Sequence, residues 1–441
     1  MVGRGLEALK SQHRALVLEP GYAAAALERG TVYAGLGNGL QALREFERAL
    51  VLEPGNGVAL SNVEALRGQL GGALLSLERT MLGAMELQQA GKLEDARCEY
   101  LRILEVNPAH FVSLYSLAAM SLNHGKAEEG MQYAERCFDS EPNSALGWFI
   151  LGVAMKAMRR FPEALESLGK AIELNADYKE AFVERGLVYG ELKQYGEAIA
   201  EFNRVLTVDP NHELALANLG TLLTIVNRNA DAVRFFSRLV EVNPQYEYAL
   251  GALTYARLHC CDWTDFEKNR ERVTRAVRAR EKGSRPLGFL AMSESPEEQR
   301  ACAEVFMDAT YPARTRVFWN GEPYRHRKMR VGYVSPDFRE HPVGHLMAGV
   351  FESHDRDAME VYAYSLGVND ASSLRGRFLS ASDRFEDVRG RSSEEIARLI
   401  RSHEIDVLVD LAGPTMDAQP DIFAYRPAPA QVLYLGYPGT S

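Results

Sequence analysis

Residues 145–178 read ALGWFILGVAMKAMRRFPEALESLGKAIELNADY. Two apolar stretches at helical spacing flank the polar break at Arg159 and Arg160, and LNADY closes the unit. The same closing beat recurs along the chain. VNPAH (106–110), SEPNS (140–144), VDPNH (208–212) and VNPQY (242–246) place Pro108, Pro142, Pro210 and Pro244, and Ala176 of LNADY fills the missing position, so that each step is 34 residues. Pro20 and Pro54, both in LEPG, are also 34 apart. Counting back from each beat recovers one pattern: Trp148, Leu151, Gly152, Ala164, Leu168 and Ala171 in this unit, and Phe182, Gly186, Tyr189, Ala198, Phe202 and Val205 in the next. Leu216, Leu219, Gly220, Ala232, Phe236 and Leu239 repeat it, as do Gly30, Tyr33, Ala42, Phe46 and Ala49 earlier. Small residues at the eighth and twentieth positions let two antiparallel helices approach, and large residues fill the groove between them. Proline ends the second helix because it has no N–H to donate. Helical pairs at a fixed period predict an α-solenoid.

This pattern resembles the tetratricopeptide repeat. It has two irregularities. Pro54 to Pro108 is 54 residues, one period plus 20, and the extra segment near 57–76 is expected to be either a degenerate helix or a break in the superhelix. Leu6 to Pro20 matches only a second helix, so the first repeat is expected to be incomplete and the N-terminus cut. A solenoid offers a long concave surface, whose default use is to hold another protein; joining or oligomerising subunits is the plainer alternative.

Composition bounds the rest. The chain has 441 residues, too many for one compact domain, so two or three units are expected. Hydrophobic residues make up 46% and charged residues 25%, as in a folded soluble protein. A net charge of −10 argues against a phosphate-backbone binder, so no nucleic acid is expected. Cys98, Cys137, Cys260, Cys261 and Cys302 include no Cys-x-x-Cys pair, and read as reduced thiols of a cytoplasmic protein with no metal site. The N-terminus has no apolar stretch of signal-peptide length, and no window offers ~18 uninterrupted apolar residues, so no membrane span is expected.

The pattern divides the chain into a repeat region at 1–256, a helical connecting segment at 257–328 and an alternating strand and helix region at 329–441. In the connector, Cys260-Cys261-Asp262-Trp263 is a poor ligand set, and Lys268, Arg270, Arg272, Arg275, Arg278 and Arg280 alternate with Glu267, Glu271 and Glu281 as a solvated helix face. From Met329, strands are expected at 329–335, 360–366, 405–413 and after Ala430, with helices at 345–355, at 392–404 behind a capping box, and briefly near 417–427. Strands alternating with helices imply a parallel, Rossmann-like sheet, whose ligands bind beyond the strands' carboxyl ends. Ser335, Asp337 and His341 follow the first strand there, Asp410 and Thr415 flank the end of another, and Tyr437, Pro438, Gly439 and Thr440 follow the last. A loop histidine is more often a structural hydrogen-bonder than a base, and Asp410 as readily caps a turn. No glycine-rich phosphate motif occurs.

Tetratricopeptide repeats, then CDWTDF (261–266), RVGYVSPDFREHPVGHLM (330–347), IDVLVDLAGPT (405–415) and YRPAPAQVLYLGYPGTS (425–441), in that order, resemble the cytoplasmic O-linked N-acetylglucosamine transferases. The resemblance implies an inverting transfer of N-acetylglucosamine from UDP-N-acetylglucosamine to Ser and Thr of proteins, between two Rossmann-like lobes, with the repeats presenting the acceptor. It implies no cofactor and no metal. His341 matches a histidine considered as a base, and His345 a more variable position. Asp410 falls near the donor sugar; Thr415 lies in the loop beyond it, and Gly436, Tyr437 and Pro438 belong to a loop lining the cleft. Pro414 stands where the family usually has a ring-bearing residue. The family's inward asparagine ladder keeps only Asn218 here, beside Ser116, Ile150 and Glu184. The donor is held mainly by the second lobe, and the chain stops after the first. The chain alone is therefore expected to be inactive, binding a UDP-sugar only with a second lobe. A non-catalytic repeat scaffold, or a transferase of another sugar, are the alternatives, and homo-oligomers through the repeats are a further expectation.

Overall fold

A computed structural model describes residues 23–35, 39–312 and 316–439. They form two compact units that divide between Val208 and Asp209. The lone second helix expected at Leu6 to Pro20, and Thr440, lie outside the described residues.

The first unit contains α1 (Ala23–Gly35), α2 (Gly39–Leu52), α3 (Gly57–Gln89), α4 (Leu93–Val106), α5 (Phe111–Asn123), α6 (Ala127–Ser140), α7 (Ala145–Ala157), α8 (Phe161–Leu174), α9 (Lys179–Glu191) and α10 (Tyr195–Val208). Where the small position of the first helix is glycine, it meets a large residue of the second. A Cβ on Gly152 would lie 2.8 Å from Leu168 Cγ, and one on Gly186 3.0 Å from a Phe202 ring carbon, so a side chain there would push the helices apart. Ala164, Leu168 and Ala171 are fully buried in the same seam. In four of these pairs the turn uses a left-handed residue at the same 34-residue period: Gly91, Gly125, Arg159 and Lys193. The last two carry a side chain in a conformation that costs an L-residue about 1–2 kcal/mol.

The 20 extra residues produce no break. They lengthen α3 into one continuous helix of 33 residues, capped by Asn56, which accepts the Ala59 N–H at 3.0 Å. Its start packs with the preceding pair, where Ala59 joins Ala26 and Ala49, and Val63 joins Ala42 and Phe46. Its end packs with the following pairs, where Ala84 joins Ala96, Tyr100 and Ile103. One helix thus serves as first helix to two successive repeats.

The second unit opens with a further pair, α11 (Glu213–Ile225) and α12 (Asn229–Val242), followed by α13 (Ala249–His259), α14 (Phe266–Arg278), α15 (Pro286–Phe289) and α16 (Pro296–Thr310). Val273, Val277, Phe289, Met292 and Cys302 form the core of the connecting helices. On α14 and just beyond it, Arg270, Arg275, Arg278 and Arg280 pair with Glu267, Glu271, Glu298 and Glu304, a solvated charged face. Cys260 and Cys261 are exposed and unbridged, and among the described residues no cluster of three or more His, Cys, Asp or Glu could hold a metal ion. Nor, among them, is any helix long and apolar enough to cross a membrane.

The sheet has five parallel strands, β1 (Met329–Ser335), β2 (Met359–Ser365), β3 (Arg384–Asp387), β4 (Val407–Asp410) and β5 (Ala430–Leu433), in the order β3-β2-β1-β4-β5. Helices α17 (Pro342–Glu352), α18 (Ser373–Ala381), α19 (Ser393–Ser402) and α20 (Asp421–Ala424) connect them. One face is covered by the cluster of Phe338, Phe351 and Phe378, the other by that of Tyr364, Ile396 and Ile400. Ser392 and Glu395 form the expected capping box of α19. The sequence reading passed over α18 and β3, so the segment it took as third strand is the fourth. Arg384–Asp387 is four residues of the edge strand, with no apolar run, and only its pairing with β2 marks it as a strand.

Candidate functional site

The strand order reverses direction between β1 and β4. In sheets of this kind ligands bind in the crevice outside the carboxyl ends of the strands, at the point of that reversal. Ser335 ends β1 and is fully buried; its Oγ accepts the Asp337 N–H at 3.0 Å and turns the chain. Two residues are then anchored from the neighbouring loop and helix. Asp370 accepts the Glu340 N–H at 2.8 Å and the Ser372 N–H at 3.1 Å, and these hydrogen bonds hold its carboxyl down to about 2. Arg375, 4% exposed, donates to Phe338 O at 3.2 Å and Ser365 Oγ at 3.1 Å, and lies 3.4 Å from Asp387. The β1 loop is therefore tied to the ends of β2 and β3.

This anchored loop presents Asp337, Arg339 and His341. Asp337 is 7% exposed. Burial raises its carboxyl above the usual range; His341 and Arg339 oppose that rise, and Asp417, from the loop after β4, adds to it. His341 sits at the N-cap of α17, where Nδ1 accepts the Val343 N–H at 3.3 Å. The same nitrogen lies 3.4 Å from Asp337 Oδ2. His345, one turn on, faces Glu340 at 2.5 Å.

Asp410 forms the opposite wall. Its Oδ1 accepts the N–H groups of Ala412 (2.8 Å) and Gly413 (3.0 Å), and burial raises its carboxyl despite those bonds. Thr415 closes the same turn, Oγ1 donating to Ala412 O at 3.0 Å. Gly436 presses on this loop: a Cβ there would lie 1.9 Å from Leu411 O, so no side chain fits. Tyr437 is 3% exposed, its ring stacked under Gly439 beside Leu290, and its hydroxyl has no hydrogen-bond partner among the described residues. Burial, with the nearby Cys302, pushes that phenol up to about 12. Pro438 is exposed.

The structure thus brings His341 to Asp337, Asp410 to Thr415, and Gly436 to the loop after β4. Asn218 stands apart on α11 and turns its amide N–H onto Leu214 O of its own helix at 2.8 Å. Of the three residues at its repeat position in the first unit, Ser116 and Ile150 are buried and Glu184 pairs with Lys156. Sequence reasoning missed Asp370 and Arg375. Their signal was the DASSLRGRF stretch (370–378), where Ser372 caps α18.

Residues 310–441 match glycosyl transferase family 41, the span that holds the whole sheet, and residues 151–213 match the tetratricopeptide repeat. The chain therefore carries tetratricopeptide repeats followed by a stretch similar to glycosyl transferase family 41. A probable UDP-N-acetylglucosamine-peptide N-acetylglucosaminyltransferase SEC of Arabidopsis thaliana is 45% identical over 115 residues, 26% of this chain and 12% of that protein. A UDP-N-acetylglucosamine-peptide N-acetylglucosaminyltransferase of Caenorhabditis elegans is 42% identical over 120 residues, 26% of this chain and 10% of its own length. Among solved structures, a Thermobaculum terrenum O-GlcNAc transferase mutant aligns at 26% identity and a TM-score of 0.41, covering 66% of this chain and 50% of that one. The matched region spans only about a tenth of the two curated transferases.

Proposed function

We propose that the polypeptide carrying this sequence transfers N-acetylglucosamine from UDP-N-acetylglucosamine to Ser and Thr hydroxyls of proteins. The observation that carries this reading is the family 41 match, which covers the sheet and both loops of the crevice. In this reading residues 1–256 hold the acceptor, 257–328 connect, and 329–441 form the first lobe, in a cytoplasmic protein. His341 assists the acceptor hydroxyl. Asp410 shapes the sugar site, with Thr415, Gly436, Tyr437 and Pro438 building the wall around it. Asn218 contributes to acceptor capture once its amide leaves Leu214 O. A second lobe holds the nucleotide. The reaction forms a bond from the acceptor oxygen to the anomeric carbon as the bond to the diphosphate breaks. The hydroxyl proton needs an acceptor, and the departing diphosphate needs cationic or dipolar neighbours.

The test is transfer of labelled N-acetylglucosamine to Ser/Thr peptides by that polypeptide, with UDP calorimetry beside it. Saturable UDP binding and label on the peptide are expected. Neither binding nor transfer would leave the repeat scaffold, and transfer from another UDP- or GDP-sugar alone would change the donor. A His341→Ala variant that folds and turns over like the wild type would remove His341 from the mechanism.

A further inference from the structure

His341 Nδ1 has two neighbours with opposite demands. Accepting the Val343 N–H at 3.3 Å requires a bare nitrogen, so the neutral ring then carries its proton on Nε2. Facing Asp337 Oδ2 at 3.4 Å favours a proton on Nδ1, which leaves Nε2 bare. The first arrangement makes His341 a donor toward the crevice. The second makes it a proton acceptor, because among the described residues no hydrogen bond reaches Nε2.

The surroundings favour the second arrangement. The Asp337 side chain is only 10% exposed, and its backbone is held by Ser335 Oγ. Arg339 lies 3.5 Å from its other oxygen, so the carboxylate keeps a cationic neighbour while Oδ2 remains for His341. The start of α17 favours a negative charge beside it. Closed from 3.4 Å to hydrogen-bond length, an N–H bond to the Asp337 carboxylate is also about twice as strong as the neutral cap it would displace. The loop cannot easily drift, because Asp370 and Arg375 tie it down on either side of Arg339. We propose that Asp337 is a positioning residue that fixes the tautomer of His341, holding the ring proton on Nδ1 and presenting a bare Nε2 to the crevice. This deepens the transferase reading and rests on it for its purpose. In the reaction the acceptor hydroxyl would give its proton to Nε2 as its oxygen bonds the anomeric carbon and the diphosphate leaves. The resulting imidazolium would keep its Nδ1–H on the Asp337 carboxylate, so no further proton is needed.

The test needs no sugar donor, so it can fail while the transferase reading stands. The chain is labelled with ¹⁵N-histidine, and long-range proton–nitrogen correlation spectra are recorded above neutral pH, with the His341 signals assigned through His341→Gln. The wild type is expected to show the neutral ring protonated on Nδ1. In Asp337→Ala the proton is expected to move to Nε2, with Nδ1 accepting only the Val343 N–H. A purely structural Asp337 would change thermal stability and leave the tautomer alone. A wild-type ring protonated on Nε2, or a proton that stays on Nδ1 in Asp337→Ala, overturns the proposal. Should Asp337→Ala fail to fold, the wild-type spectrum alone decides.

Discussion

Arg375 carries the most informative perturbation outside the crevice itself. The residue is 4% exposed and its guanidinium is shared among Phe338 O, Ser365 Oγ and Asp387, with the Phe385 ring 5.0 Å away. Arg375→Met keeps the length of the side chain and removes the donors. Three acceptors then lose their partner. Ser365 Oγ can turn, so the lasting loss is the Phe338 carbonyl, at about 1–3 kcal/mol for a buried group left unmade. The Asp387 pair adds little, because that carboxylate is 42% exposed and returns to water. Relief from burying a cation offsets part of the cost. The net expectation is about 2 kcal/mol. Arg375→Lys keeps the charge but not the fork, and should lose a similar amount because one ammonium cannot serve acceptors on three segments. Urea unfolding of both variants, followed by circular dichroism, gives the magnitude. Amide exchange at Glu340, whose N–H is held by Asp370, reports whether the loop has loosened. If Arg375→Lys stays within about 0.5 kcal/mol of the wild type with Glu340 still protected, charge alone holds the loop and the bonding argument is refuted.

Two histidines outside the crevice should give opposite pH dependences. His326 lies between Glu404 at 3.0 Å and Asp406 at 3.1 Å; burial opposes its charge, but the two carboxylates outweigh it and raise its pKa. Its contribution is therefore fully present below the unfolded value of about 6.5 and is lost as pH rises through the higher folded value. His326→Gln should destabilise the protein more at pH 5.5–6 than at pH 8.5, by unfolding at fixed temperature, and an equal loss at both would contradict the pairing. His403 is held low, first by burial and then by Arg384, and shares a 2.8 Å hydrogen bond with the buried Tyr364 hydroxyl. That contribution is present above about 6.5 and fades as pH falls below it. Tyr364→Phe strands the buried imidazole nitrogen and should cost about 1–2 kcal/mol near pH 7.5; a cost below about 0.3 kcal/mol would mean that water already serves it.

By itself, the sequence determined what a period can carry. Thirty-four residues between prolines, with a small residue eight positions into each unit, dictate paired helices, because the repeat specifies contacts that every neighbour supplies again. The strong runs MRVGYVS and EVYAYS, and the Ser392–Glu395 box, were legible because pattern and cap are local signals. The edge strand Arg384–Asp387 was not, since its four residues become a strand only by pairing with β2. For the same reason no local rule could say that the 20 extra residues would fuse two first helices into α3. The candidate site divides in the same way. His341 and Asp410 stood out by type and place. Tertiary structure alone decided that Asp410 Oδ1 closes its own turn, that Tyr437 is buried with no partner for its hydroxyl among the described residues, and that Asp337 faces the capping nitrogen of His341. Those facts depend on distances between loops that leave separate strands, and only the assembled sheet brings those loops together.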